Sequence, residues 1–210
     1  YLMKLSSLMG FSVDERVVEH PYIMRNVKLP RKARFLDVGC CDSLLSHAII
    51  ARGYEVWGID LRPYPEAHPY MRFVQADITE SPLPSNVFDA VIANSVIEHI
   101  GLNSPQYGDP IKNDGDMVAM ESLRQTLKQG GLVIVTIPYS VHYDVETSGA
   151  IYKRKYDEVR IARLTFGFAL QQEELFALVK NKWIKLRSRD LINNLPKDTE
   201  AIICLILRKL

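Results

Sequence analysis

The stretch "FLDVGCCDSLLSH", residues 35–47, decides the fold. It reads as a strand reaching Asp37 and Val38, a turn opened by Gly39, and the start of a helix. Four further runs have the strand's form: "YEVWGID", "RFVQAD", "FDAVIAN" and "GLVIVTIP". Continuous apolar runs of this length, ending in Gly, Asp or Asn, point to strands covered on both faces, and hence to a parallel sheet. Between the first two lies "SLLSHAIIARG", with Leu44, Leu45, Ala48 and Ile49 on one helical face and Gly53 as its C-terminal cap. Before the fifth lies "GDMVAMESLRQTLKQGG", where Met120, Leu123 and Leu127 form the apolar stripe and Gly130-Gly131 end the helix. Strand and helix in alternation imply an α/β fold with right-handed crossovers.

The C-terminal part breaks the alternation. "QQEELFALVKN" reads as a helix, and "KWIKLRSRDLI" and "TEAIICLILRKL" read as two strands. The link between them is too short for a crossover helix, so an antiparallel pair is expected. Two irregular stretches, residues 101–115 and 138–160, follow the fourth and fifth strands. They leave the carboxyl ends of the strands, the edge at which open α/β sheets bind ligands.

Composition narrows the function. The chain has 210 residues, enough to bury one full core. Its net charge of +1 predicts no broad attraction to nucleic acid or to an anionic membrane. The basic residues Arg25, Lys28, Arg31, Lys32 and Arg34 read as a solvated face ahead of the first strand. No apolar run reaches the roughly 18 residues of a membrane span. "YLMKLSSLMGFSV" lacks a signal-peptide layout and reads as an amphipathic helix. Three cysteines without a CxxC pair make neither a disulfide framework nor a zinc ribbon, so a reducing cytoplasm is expected.

The turn at Gly39 offers free N–H groups, yet it lacks the Gly-Lys-Ser/Thr ending of a phosphate loop and the second and third glycines of G-x-G-x-x-G. A side chain at Cys41 would obstruct a pyrophosphate, so a phosphate-free ligand suits the loop better. Asp60 closes the second strand, where an acid accepts hydrogen bonds from ribose hydroxyls. Asp77 closes the third, where it could meet an adenine amino group or cap the following helix. With Asp37, three acids stand at successive strand ends beside Gly39.

On these residues the chain resembles the class I S-adenosylmethionine-dependent methyltransferases. "FLDVGCCDS" is similar to their first motif, "GIDL" to the second, "QADI" to the third and "FDAVIANSVIEHI" to the fourth. "LRQTLKQGGLVIVTIP" resembles the helix and strand that follow. The departures are Cys41 and Ser43, where the family's loop carries glycines. The resemblance implies a Rossmann-like three-layer αβα sandwich with a seven-stranded, mostly parallel sheet and a C-terminal antiparallel hairpin. It implies a single domain over residues 1–210. Within it, 1–33 would be an N-terminal cover, 34–138 the cofactor-binding core, 139–160 a substrate loop and 161–210 the C-terminal helix and hairpin. It implies S-adenosyl-L-methionine as cofactor, held by Asp37, Gly39, Cys40, Cys41, Asp60, Leu61, Asp77, Ile78, Asn94 and Ser95. "EHIGLNSPQYGDPIKNDGD" further resembles a subgroup that accompanies surface-polysaccharide or glycan biosynthesis.

The acceptor side follows the fourth strand. Methyl transfer from a sulfonium is an in-line displacement, and a hydroxyl acceptor benefits from a base. His99 is the candidate base, with a packed structural histidine as the alternative. A divalent metal bound through Glu-x-x-Glu-His is not expected, because Ser95 stands where the first carboxylate would be. The Asn/Asp-Pro-Pro-Tyr/Phe element of base N-methylation and the Pro-Cys of cytosine chemistry are absent, and no nucleic-acid partner is expected. Tyr107, Asp109, Asp116, His142 and Tyr143 are the candidate substrate residues, fitting a small-molecule or saccharide acceptor, with a basic, tyrosine-rich lid over 152–156. The expected activity is O-methylation. An NAD-dependent oxidoreductase or epimerase, and a non-catalytic binding module, are the alternatives.

Overall fold

Burial is nearly continuous along the central strands, which requires a layer on each side of the sheet. In the computed structural model, which describes residues 13–64, 68–149 and 152–210, strand β1 is Arg34–Val38. Leu36 and Val38 enter one core, while Phe35 enters the other. Strands β2 (Glu55–Asp60), β3 (Met71–Gln75), β4 (Phe88–Asn94) and β5 (Leu127–Pro138) complete a parallel set. Helices α1 (Arg16–Asn26) and α2 (Leu45–Ala51) cover one face through Tyr22, Ile23, Leu45 and Ile49. Helices α3 (Gly115–Thr126) and α4 (Glu158–Leu164) cover the other through Ala119, Met120, Leu123, Ile161 and Leu164. Three layers result, as expected from the sequence.

The remaining strands are β6 (Asp144–Glu146), β7 (Lys153–Lys155), β8 (Phe168–Val179), β9 (Lys182–Leu186) and β10 (Ala201–Lys209). The main sheet runs β3-β2-β1-β4-β5-β10-β8-β9, with β10 antiparallel to both of its neighbours. It has eight strands rather than seven. The extra one comes from "QQEELFALVKN": its Gln, Glu and Leu residues favour a helix, but most of it lies in β8. Two acids reveal the strand. Glu173 meets Arg189, and the adjacent Glu174 meets Arg25 and Lys185, partners that pleated backbone places on opposite faces. Tertiary pairing overrides helix propensity here.

The expected pairing of "KWIKL" with "AIICLILRK" is also corrected. Seven consecutive residues of β10, Ala201–Leu207, are buried, so both faces must be covered and the strand lies inside the sheet. β9 keeps Lys182 and Lys185 exposed, pairs with β8 alone, and forms the edge. "RSRDLI" turns through a short 3-10 segment, Arg189–Asn194, instead of extending β9.

Helix boundaries shift as well. α2 starts at Leu45, leaving Leu44 73% exposed rather than on the buried face. α3 stops at Thr126, because Leu127 already pairs with Phe88. Gly130, at φ 71, then bends the chain so that Leu132 pairs with Ala90. The 138–160 stretch is no plain loop: β6 and β7 form an antiparallel hairpin in it. The amphipathic helix expected over residues 1–13 falls, apart from Val13, outside the described residues. Among the described residues no helix is long and apolar enough to cross a membrane.

Candidate active site

The carboxyl ends of the parallel strands open into a cavity of about 400 Å³. The first turn of the chain around it is set by Gly39. Its φ of 70 is left-handed, and a Cβ there would lie 2.6 Å from the Val96 side chain, so glycine is required. The following 3-10 turn, Cys40–Asp42, directs both thiols away from the cavity. Cys40 packs against Gly58, whose added Cβ would meet its sulfur at 2.7 Å. The Cys41 thiol approaches the carbonyls of Arg62 and Pro63, while its amide donates to Asp60 Oδ2 at 3.1 Å. Asp37 is also withdrawn: it is buried, and Ser46 Oγ donates to its carboxylate at 2.6 Å. Burial outweighs that bond and pushes Asp37 up to about 6. Of the ten residues expected at the cofactor, Gly39, Asp60, Leu61, Asp77, Ile78, Asn94 and Ser95 line the cavity; Asp37, Cys40 and Cys41 shape the turn behind it.

Asp60 is buried at the end of β2, yet its acidity is strengthened. Burial alone would raise its pKa, but bonds from the Arg62 side chain and amide and from the Cys41 amide outweigh it and lower the value. The Arg62 guanidinium spans Asp60 and Asp42 and lies 5.1 Å from the centre of the Tyr107 ring. Asp77 caps the 3-10 turn after β3 by accepting from the Thr79 amide at 2.8 Å, and Lys112 Nζ stands 3.3 Å away. The Thr79 and Lys112 bonds overcome burial and hold Asp77 below its ordinary value.

Cys40 Sγ, Cys41 Sγ and an Asp60 oxygen lie within 4.8 Å of one another. This trio does not suit a cation. Arg62 and the Cys41 amide already occupy the carboxylate, and the Cys41 thiol approaches the carbonyls of Arg62 and Pro63.

On the acceptor side, His99 is largely buried and lines the cavity. Its Nδ1 stands 2.6 Å from the Tyr152 carbonyl, which only accepts, so Nδ1 carries the proton and Nε2 keeps its lone pair. Burial lowers the imidazole pKa, so the neutral form prevails at pH 7. Glu98, 3.8 Å from Nε2, is raised well above a normal carboxyl by burial, so the pair is not ionic. Tyr107 packs on the His99 ring at 5.2 Å.

The other expected substrate residues serve the framework. Asp109 touches the cavity, but its carboxylate accepts from the amides of Gly101, Asn103 and Ser104 and ties that loop together. Asp116 is fully buried, 2.6 Å from Arg160 and 3.2 Å from the Tyr156 hydroxyl. Asp114, at the start of α3, makes no side-chain cap and meets Arg160 instead. His142 and Tyr143 are exposed outside the cavity, Tyr143 beneath Arg160. The lid is mixed: Lys153 and Lys155 line the cavity, whereas Arg154 is turned inward and buried.

Three residues that support the site were not among the expected ones. Arg62, two residues beyond Asp60, gives no motif. Arg154 sits in the basic run expected as a lid, where nothing sets it apart from Lys153 and Lys155. Glu19 did carry a signal, since it precedes Tyr22 and Ile23 by three and four residues and so shares their buried helical face.

A sheet with one antiparallel strand inserted beside β5, and a cavity at the carboxyl ends with Gly39, Asp60 and Asp77 at its rim, define the class I S-adenosylmethionine-dependent methyltransferase fold. The dinucleotide-binding alternative loses its architectural basis here. Residues 78–210 match the family described as "Caenorhabditis protein of unknown function, DUF268", and the chain belongs to that family. A "Ubiquinone biosynthesis O-methyltransferase" from Azorhizobium caulinodans is 27% identical over 147 residues, 64% of this chain. The match spans 58% of that protein's length. Among solved structures, the 1,6-didemethyltoxoflavin-N1-methyltransferase of Burkholderia thailandensis is similar with a TM-score of 0.63 and 17% identity, over 92% of this chain and 75% of its own. The N-methyltransferase NodS of Bradyrhizobium japonicum is similar with a TM-score of 0.59 and 12% identity, over 93% and 87%.

Proposed function

We propose that this chain is an S-adenosylmethionine-dependent methyltransferase directed at a hydroxyl oxygen of a small-molecule acceptor of saccharide type. The observation that carries the reading is the His99 tautomer: a largely buried neutral imidazole on the cavity wall with Nδ1 committed to Tyr152 and Nε2 left basic. Asp60 would hold the ribose hydroxyls, sharing its oxygens with Arg62, and Asp77 with Ile78 would flank the adenine. Gly39 and Leu61 would line the remainder, with Asn94 and Ser95 at the end where cofactor and acceptor meet. The Burkholderia and Bradyrhizobium structures hold S-adenosylhomocysteine, which supports this assignment. The Azorhizobium relative's name supports oxygen as the accepting atom.

Bound there, S-adenosylmethionine supplies an electrophilic methyl group on a sulfonium. The chain's own task is to place the acceptor in line with it and to remove one proton. Nε2 of His99 accepts the hydroxyl proton as the oxygen becomes nucleophilic, and the Tyr152 carbonyl stabilises the resulting imidazolium through Nδ1–H. Tyr107 covers the imidazole and restricts water.

Calorimetric titration with S-adenosylhomocysteine and with NAD tests the reading. Binding of the former and not of the latter is expected; the reverse result would sink it. His99→Ala should retain S-adenosylhomocysteine affinity and lose transfer to saccharide acceptors, read as added methyl mass. Unchanged turnover would return His99 to a packing role.

A further inference from the structure

Beside His99 the cavity wall carries oxygens that lack a donor. Asn94 Oδ1 and Glu98 Oε2 are buried without a hydrogen-bond partner among the described residues, and both residues line the cavity. Glu98 is 2% exposed. Behind them Glu19, fully buried on α1, accepts from Ser95 Oγ at 2.6 Å through Oε1, while its Oε2 is unpartnered. The three orphan oxygens come from α1, from the end of β4 and from the turn after it. Asn94 Oδ1 is an acceptor, and both carboxyls become acceptor-only once ionised; a buried acceptor left unpaired costs stability. A ligand that satisfies such a wall needs several donors and no lone pairs. An ammonium group has that chemistry, and its charge matches the carboxyls.

We propose that Glu98 and Asn94, backed by the Glu19–Ser95 pair, bind an ammonium group carried by the methyl acceptor. This deepens the transferase reading and rests on it. The position favours the acceptor over the cofactor. Glu98 adjoins His99, whereas Asp60 and Asp77 close β2 and β3, beyond β1 from β4. The electrostatics agree. Glu19 is pushed up to about 7, first by its burial, and Glu98 is raised well above its ordinary value, again first by burial. Glu19 and Glu15 raise Glu98 further, Lys153 opposes them, and neutral His99 contributes no charge. An entering ammonium reverses this balance: Glu98 ionises and releases its proton.

The test reads that ionisation. Protein labelled with ¹³C at the glutamate carboxyls and saturated with S-adenosylhomocysteine is titrated with pH in ethylammonium chloride and, separately, in equimolar sodium chloride. Glu98→Gln identifies the Glu98 resonance. The Glu98 midpoint is expected to fall by about 1–3 units in ethylammonium relative to sodium. Equal midpoints in the two salts overturn the proposal. A fall produced by S-adenosylhomocysteine but not by 5′-methylthioadenosine, which lacks the amino-acid end, also overturns it by giving the site to the cofactor. Repeating the salt comparison on unliganded protein separates the two readings. Failure of S-adenosylhomocysteine to bind sinks the transferase reading, yet the ethylammonium shift is still measured.

Discussion

Asp60 shows how a residue can be found by position and still be misjudged in its surroundings. Its place at the end of β2 is legible from "GID", because a strand that ends in an acid at the carboxyl edge presents it to the cavity. Its occupancy by Arg62 is not legible, since nothing in the pattern says that a residue two positions on folds back to it. The carboxylate therefore keeps a permanent cation, and on the proposed reading ribose hydroxyls would add to bonds already made. Asp60→Ala should weaken S-adenosylhomocysteine binding by about 1–3 kcal/mol, the cost of leaving hydroxyl donors unpaired. It should also free Arg62 from one of its two acids. Calorimetry checks this, with circular dichroism to confirm folding; a folded variant of unchanged affinity removes Asp60 from the site. Cys41 and Asp37 make the converse point. Both lie in the motif, but one points its thiol at backbone carbonyls and the other bonds to Ser46, so motif membership did not place them on the cavity wall.

At the scale of elements, the strands with continuous apolar runs were legible and the amphipathic strand β8 was not. Parallel strands buried on both faces announce themselves; β8 is rich in helix formers, and only its pairing with β10 decides its state. The β6–β7 hairpin was missed for the same reason, being short and charged. It matters because alternate residues divide its work. Lys153 and Lys155 face the cavity, while Tyr152 holds His99 and Arg154 grips the turn beneath it. The Arg154 amide donates to the Glu98 carbonyl at 3.0 Å, and its guanidinium reaches the Ile100 carbonyl at 2.7 Å, with Asp116 3.8 Å away. Arg154→Met keeps the backbone amide on the Glu98 carbonyl but should leave the Ile100 carbonyl without its guanidinium donor and Asp116 with only Arg160 and the Tyr156 hydroxyl. We expect a loss of about 3 kcal/mol or more in urea unfolding, together with reduced turnover through a loosened His99. A variant with unaltered stability would show that the hairpin is held by its backbone alone.

For the whole molecule, the fold stores acids that would sooner be neutral, and this sets the pH at which it is most stable. Glu19, fully buried, moves from 4.5 to about 7 on folding, and Asp37 from 3.8 to about 6. For a carboxyl raised in the native state, the unfolded chain gives up its proton first as pH rises. Between the two values the native state binds more protons, so stability falls with increasing pH. The contribution is fully present below about 4 and is lost by about 7, opposite in direction to that of Asp60 and Asp77, whose lowered values favour the native state at higher pH. Glu19→Gln separates the two sets. Gln keeps an oxygen for Ser95 Oγ but cannot ionise, so the variant should match wild type near pH 4. By pH 8 it should be more stable by on the order of 3 kcal/mol, the value of 2.5 pKa units before relaxation around the charge reduces it. Urea unfolding at both pH values reads the difference directly. A gain that is equal at pH 4 and pH 8 would mean that packing, not ionisation, distinguishes the two side chains, and an added ammonium ligand should shrink a genuine gain by stabilising the charged wild type alone.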